Sequence, residues 1–330
     1  MRFGPVPLDE AEGAILAHSM KGEGWAIRKG TALDAETLGT LRRAGLDAVL
    51  AARPGGTDVA EDEAAAALAR AACGDGLTLA TAFTGRCNLR AEADGLLVVE
   101  AAAVDAANAV DEALTLATAR TLARLAEGQL AATAKVIPYA APRAALEAAC
   151  AALRSAPLRL APFRSMEAAL ILTRTSGQRD GTLAKGAEAV EARLHGLGCT
   201  LRAPEAVAHE TAALADALRR MEAELVLVLG GSATSDRADV VPAAIEAAGG
   251  TVERFGMPVD PGNLLVLGRL RGAPVVGLPG CARSPALNGA DWVLERLVAG
   301  VGVTGPDIAR MGVGGLLKEI TSRPQPRERR

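Results

Sequence analysis

The chain has 330 residues, half of them apolar, with a formal net charge of -3 and an aromatic content of 2%. That length predicts two domains, or three, each able to bury a core of its own. Interspersed charge and so few stacking platforms exclude a surface dedicated to nucleic acid or anionic lipid.

From Met1 to about Arg53 the pattern is one of short segments with frequent glycine. Asp34 ahead of a periodic stretch and Gly45 behind it predict a helix over 35–44, followed by an apolar strand over 48–52. The alanine-rich stretch 60–73 carries acids in its first turn, as a helix dipole favours. A strand is predicted over 95–101 and a long helix over 106–127, where Val110, Leu114, Ala117, Leu122 and Leu125 fall at helical spacing. Pro138, Pro142, Pro157 and Pro162 then punctuate the chain and place a domain boundary near Pro162.

Beyond that boundary, strands predicted over 168–173, 199–201, 225–229, 251–255 and 274–278 alternate with helices over 183–197, 211–221, 241–248 and 285–297. Such alternation implies crossover units and a parallel sheet covered on both faces. Ligands of such sheets sit at the carboxyl ends of the strands. The loops that matter are then 175–180, 230–239 and 279–284.

The middle loop, in LVLVLGGSATSDRADVVP, holds the densest chemistry. Gly230 and Gly231 let the backbone turn sharply with its amides unobstructed, and Ser232, Thr234 and Ser235 add hydroxyls. Asp236 and Asp239 are candidate ligands for a hard cation such as magnesium. A glycine pair alone reads more simply as a packing turn; two carboxylates and three hydroxyls in the same loop favour an anion site. In the first loop, Ser176 and Arg179 face the same sheet edge, and Asp180 reads as a helix cap or a metal ligand. In the third, Pro279 and Gly280 fix a rigid turn, and Ser284 reads as a ligand or as the cap of the next helix.

Cys73, Cys87, Cys150, Cys199 and Cys281 are odd in number with no C-x-x-C pair, so they read as buried thiols of a reducing cytosol. Cys281 has no histidine near it in sequence to make it a nucleophile. His18, His195 and His209 are the only histidines; His195 reads as a packing residue in a helix, whereas His209-Glu210 precedes a helix and faces the site. There is no G-x-S-x-G elbow and no P-loop, and the G-x-G-x-x-G at Gly300, Gly302 and Gly305 follows a helix, which is the wrong context for a dinucleotide. No secretory leader opens the sequence and no apolar run approaches the roughly 20 residues that span a bilayer, so a cytoplasmic protein without membrane contact is expected.

These loops in this order resemble the molybdopterin-binding superfamily of molybdenum cofactor biosynthesis, over about 166–299. GGSATSDRADVVP resembles its GG[TV][GS] loop with a following aspartate, GLPGCARS its PGNPVS-type turn with Ser284 on the serine, and MPVDPGN, with Pro261 and Gly262, the turn between them. The leading region, AHSMKGEGWAIRKGTALDAETLGTLRRAGLDAVLAA with AEDEAA and FTGRCNL, resembles that of bacterial molybdopterin-binding proteins. Four departures stand out: Ala233 replaces a loop glycine, an extra residue precedes Asp239, His209-Glu210 stands for an acidic pair, and Cys281 for an asparagine.

The resemblance implies an α/β fold in which a smaller α+β domain over 1–164 precedes a three-layer αβα parallel-sheet molybdopterin-binding domain over 165–310. A C-terminal tail over 311–330 follows, and its last residues, SRPQPRERR, are basic and expected to be disordered. It implies molybdopterin held by Gly230, Gly231, Ser232, Ala233, Thr234, Ser176, Pro261, Gly262, Pro279, Gly280 and Ser284, with Asp239 and Asp236 as catalytic and magnesium-binding carboxylates. The activity would be magnesium-dependent adenylyl transfer with ATP, or molybdate insertion, in a homo-oligomer. A non-catalytic binding or delivery module, and a relative acting on a pyridine or sugar nucleotide, stay open beside it.

Overall fold

The computed structural model describes residues 1–317, and the chain divides into two compact units, Met1–Leu160 and Ala161–Arg330. In the first unit the strand Ala48–Arg53 lies between Arg2–Pro7 and Ile15–Leu16, antiparallel to both. The helix Ala35–Arg43, capped by the Asp34 side chain on the Thr37 amide at 2.8 Å, closes a small core with Leu16, Leu38, Leu41 and Val49. The rest of the unit is built around a four-stranded antiparallel sheet, Leu114–Thr118, Leu130–Val136, Arg86–Ala91 and Leu77–Leu79, with smaller two- and three-stranded sheets and the helices Glu61–Ala72, Ala101–Asn108 and Arg143–Ser155. Ala64, Ala65, Ala69, Ala72 and Ala149 are fully buried there, so the alanine repetition brings helices close rather than merely filling them.

The long helix expected over 106–127 does not form. The helix ends at Asn108, whose side chain donates to the Leu116 carbonyl at 3.0 Å and accepts from the Leu116 amide at 2.7 Å. Asp111 accepts from the Ala113 amide at 2.8 Å, and the chain returns as a strand with Leu114 and Leu116 inward. Asn and Asp side chains offered the backbone a turn that apolar spacing does not register.

In the second unit the elements run β1 (Glu167–Arg174), α1 (Asp180–His195), β2 (Thr200–Leu201), β3 (Glu205–Ala208), α2 (Thr211–Arg220), β4 (Leu225–Leu229), α3 (Val240–Ala247), β5 (Thr251–Phe255), β6 (Val266–Leu270), β7 (Ala273–Leu278), α4 (Gly289–Val298) and α5 (Gly305–Ala309). Among the described residues they build a seven-stranded sheet in which β1 pairs with β2, β3 and β4, and β4 with β7, all parallel. The sheet is nevertheless mixed, which corrects the all-parallel expectation. β6, missed in the sequence, returns antiparallel to β7, and β5 pairs antiparallel to β6. No helix separates β5, β6 and β7, so short connections force reversal of direction where a parallel crossover needs a dozen residues or more.

Alternate residues of the central strand go to different partners. Leu225, Leu227 and Leu229 pack with Leu183, Val190 and Leu194 of α1 and with Val293, Leu294 and Leu297 of α4. Val226 and Val228 pack with Leu214 and Leu218 of α2 and with Val241, Ala244 and Ile245 of α3. Burying every residue of a strand requires apolar cover on both sides, and that is why β4 reads as a continuous apolar run.

Past α5 the chain does not become a free tail at once. Met311 enters the core at 4% exposure, the Asp260 amide donates to the Gly315 carbonyl at 2.8 Å, and the Leu317 amide donates to the Asp260 carbonyl at 2.9 Å. The expected disordered segment SRPQPRERR lies outside the described residues. No helix among the described residues is long and apolar enough to cross a membrane.

Candidate functional site

Because β1, β3, β4 and β7 are parallel, their carboxyl ends share one edge of the sheet, and the loops 175–179, 230–239 and 279–284 leave from it. Hydrogen bonds tie these loops together. The Gly231 amide donates to the Thr173 Oγ1 at the end of β1 at 2.7 Å, and that oxygen lies 2.7 Å from Nδ1 of His209, the residue after β3. From the third loop the Arg283 guanidinium donates to the Gly230 carbonyl. A Cβ on Gly231 would stand 2.7 Å from the Thr173 carbonyl oxygen and 3.1 Å from the Thr175 nitrogen. Both are backbone atoms, so the glycine is required for close approach rather than for an unusual φ.

The amides of Ser232, Ala233 and Thr234 take no hydrogen-bond partner within the described residues. Ser232 and Ala233 are exposed while Thr234 is 9% exposed, so the loop presents free N–H groups at its crest over a buried foot. Beside the loop, Arg174, Thr175, Ser176 and the β3 residues Ala206, Val207 and Ala208 line a depression of about 400 Å³. Pro261 and Gly262 sit between β5 and β6, on the same edge. The Pro261 carbonyl accepts from the Gly289 amide at 2.9 Å, and a Cβ on Gly262 would meet that nitrogen at 2.6 Å, so this turn is packed onto the start of α4.

Two capping expectations are corrected. Asp180 is the first residue of α1 rather than its cap, and it pairs with Arg174 across an exposed surface. Ser284 does not cap α4; Asn288 does, with Asp291 completing a capping box, while the Ser284 Oγ accepts from the Ala286 amide at 3.4 Å. The serine-bearing turn, with Pro279 and Gly280 leading into a single 3-10 turn, is held by a residue the sequence did not reveal. Arg193 of α1, almost fully buried, donates to the carbonyls of Ala282 at 2.8 Å and Ala286 at 3.0 Å and to that of Ser284, and pairs with Asp291 at 2.8 Å.

The match that bears on this edge spans 174–300, where the chain fits the family model described as a probable molybdopterin binding domain. The match covers less than half of the chain. Residues 5–53 match a second family model, a domain of unknown function. Among solved structures, the chain is similar to the molybdopterin biosynthesis MoeA protein from Pyrococcus horikosii, at 14% identity over 91% of this chain and 76% of that one, with a TM-score of 0.31. A molybdenum cofactor biosynthesis protein B is similar at 14% identity over 40% of this chain and 87% of that one, with a TM-score of 0.28. Both similarities are too slight to bear on structure or chemistry. No curated protein matches the chain.

Within the matched segment the two loop aspartates are turned toward their own backbone. Asp239 caps α3, its Oδ1 accepting from the Val240 amide at 2.7 Å and its Oδ2 from the Ser235 amide at 3.0 Å. The Ser235 amide, followed by that of Val240, holds its carboxyl below the ordinary range against a smaller opposing effect of burial. Asp236 accepts from the Ala238 amide at 2.8 Å and is exposed. Among the described residues no group of three or more His, Cys, Asp and Glu side chains is placed to hold a metal ion. The acidic donors therefore do not fit a protein-built magnesium site. Cys281 is half-buried, and burial pushes its thiol upward, away from the thiolate that a nucleophile needs.

Proposed function

We propose that residues 165–310, read as a three-layer αβα domain, bind molybdopterin through its phosphate and hold or hand on the pterin without transferring a group to it. The observation that carries this reading is the run of unpartnered amides at Ser232, Ala233 and Thr234, in the loop that follows the parallel strand β4 and inside the segment matched by the family model. Backbone N–H groups in a turn at a strand's carboxyl end form a concave cradle for phosphate oxygens. Gly230 and Gly231 keep that cradle clear, Pro279, Gly280 and Ser284 wall its far side, and Pro261 and Gly262 extend the wall. Ser176 and the depression beside it offer room for the pterin.

Binding is favoured over adenylyl transfer or molybdate insertion because Asp239 and Asp236 serve as cap and turn residues. Phosphoryl transfer depends on positioned cations and a positioned nucleophile. Whether copies associate is a separate matter from this cradle, which draws on one chain alone.

The test is to purify the full chain from cells that make molybdopterin and oxidise the bound pterin to its fluorescent product. Retention of the pterin is expected, and a protein that emerges free of it overturns the reading. Adding ATP and magnesium to the loaded protein is expected to release no pyrophosphate. Release would return adenylyl transfer to first place.

A further inference from the structure

Thr173 is fully buried and follows the apolar run Ala168 to Leu172 of β1, and its hydroxyl has two partners. The Gly231 N–H donates to it at 2.7 Å, and the His209 Nδ1 lies 2.7 Å away. An amide N–H has no lone pair to offer, whereas the hydroxyl has one proton and two lone pairs. That proton, shut off from water, has His209 Nδ1 as its acceptor. Were Nδ1 protonated instead, Thr173 would accept twice and bury its own proton unpaired, which folded proteins avoid. The hydroxyl thus selects a bare Nδ1, and a neutral imidazole then carries its proton on Nε2.

The ring borders the glycine loop. Cε1, the atom bonded to both ring nitrogens, lies 4.0 Å from where a Cβ on Gly230 would stand, and Asp239 is within electrostatic reach of the imidazole. Resting on the reading that this loop takes a phosphorylated ligand, we propose that Thr173 locks His209 as the Nε2–H tautomer. Its outer N–H then becomes a fixed, neutral donor to the ligand's phosphate, beside the amides of Ser232 to Thr234 and with no metal ion between. The same hydroxyl that holds Gly231 in place orients the histidine, so the loop's position and the donor's direction are set together.

The tautomer is read without any ligand. The full chain is labelled with 15N-histidine, resonances are assigned through His18→Gln, His195→Gln and His209→Gln, and long-range proton–nitrogen spectra distinguish bare from protonated ring nitrogens. One Nε2–H species is expected for His209, with a mixture in Thr173→Val; an Nδ1–H species, or a mixture already in the unaltered protein, overturns the lock. Molybdopterin is then titrated in the presence of EDTA. The Nε2 resonance is expected to move, His209→Phe to weaken binding about tenfold or more, and His209→Gln, which keeps an N–H near the same place, to restore most of it. An unmoved Nε2 on saturated protein, or equal affinities in all three, overturns the phosphate contact. If the unaltered protein takes up no molybdopterin, the proposed function falls and the contact with it, while the spectrum still decides the lock.

Discussion

Asp239 shows how one side chain's geometry redirects a functional reading. Its two oxygens are spent on the amides of Val240 and Ser235, so its first duty is to satisfy the first donor of α3 and to tie the loop at Ser235 to that helix. Asp239→Ala is expected to cost about 1 kcal/mol in urea unfolding. The sign of its pH dependence follows from a folded-state carboxyl held below its ordinary value. Its stabilisation is present above the unfolded-state value and is lost as pH falls through the folded-state one. The gap between the parent and Asp239→Ala should therefore close on acidification, and a gap that stays constant contradicts the cap. For ligand retention, Asp239→Asn should do more harm than Asp236→Asn, since only Asp239 ties Ser235 to the helix; equal retention by both refutes that ranking. Sequence could offer Asp239 and the glycine pair because their chemistry is local. It could not offer Thr173, whose partner Gly231 is 58 residues away, or Arg193, whose carbonyl partners lie about 90 residues on.

Among elements, the parallel strands and their helices were legible because β4 is apolar throughout, β1 is apolar from Ala168 to Leu172, and the helices between them carry periodic faces. The reading failed where periodicity was ambiguous. Leu114 and Leu125 suit a helix as well as a strand, and the side-chain turn at Asn108 and Asp111 decides between them. It failed again at α4, which starts four residues later than expected because Asn288 and Asp291 form the better cap. The contact between loop and strand makes a sharp prediction: Gly231→Ala pushes a methyl into the β1 backbone, which cannot swing aside as a side chain can. A loss of about 1–3 kcal/mol in thermal or urea unfolding is expected, together with loss of bound pterin. Arg193→Met leaves Asp291, in the first turn of α4, without its cation and frees three carbonyls of the serine-bearing turn, so about 3–5 kcal/mol of stability should go. A melting temperature near that of the parent would show the buried pair to be dispensable.

At the scale of the molecule, each unit has an apolar core of its own, so residues 161–330 expressed alone are expected to unfold in one cooperative transition by circular dichroism. Ending the fragment at residue 310 should lower its stability by about 2 kcal/mol or more, the burial of Met311, with the bonds to Asp260 lost besides. Equal stability of the two fragments would show that 311–317 merely rest on the surface. Composition foretold cores of this kind but not the sheet's antiparallel margin, since β6 lies in a stretch whose glycine and arginine broke the apolar run.

That margin has a bearing on how copies of the chain behave together. The β5 ladder slips register between Val252 and Arg254 and carries the Glu253–Arg269 pair at 2.6 Å, while the opposite rim is cut into two short strands by the segment around Pro204. A kinked, charged rim and a broken one both deny a neighbouring backbone the straight run it needs to zip on. In concentrated solution, growth of the sheet from one molecule into the next is therefore disfavoured at either side.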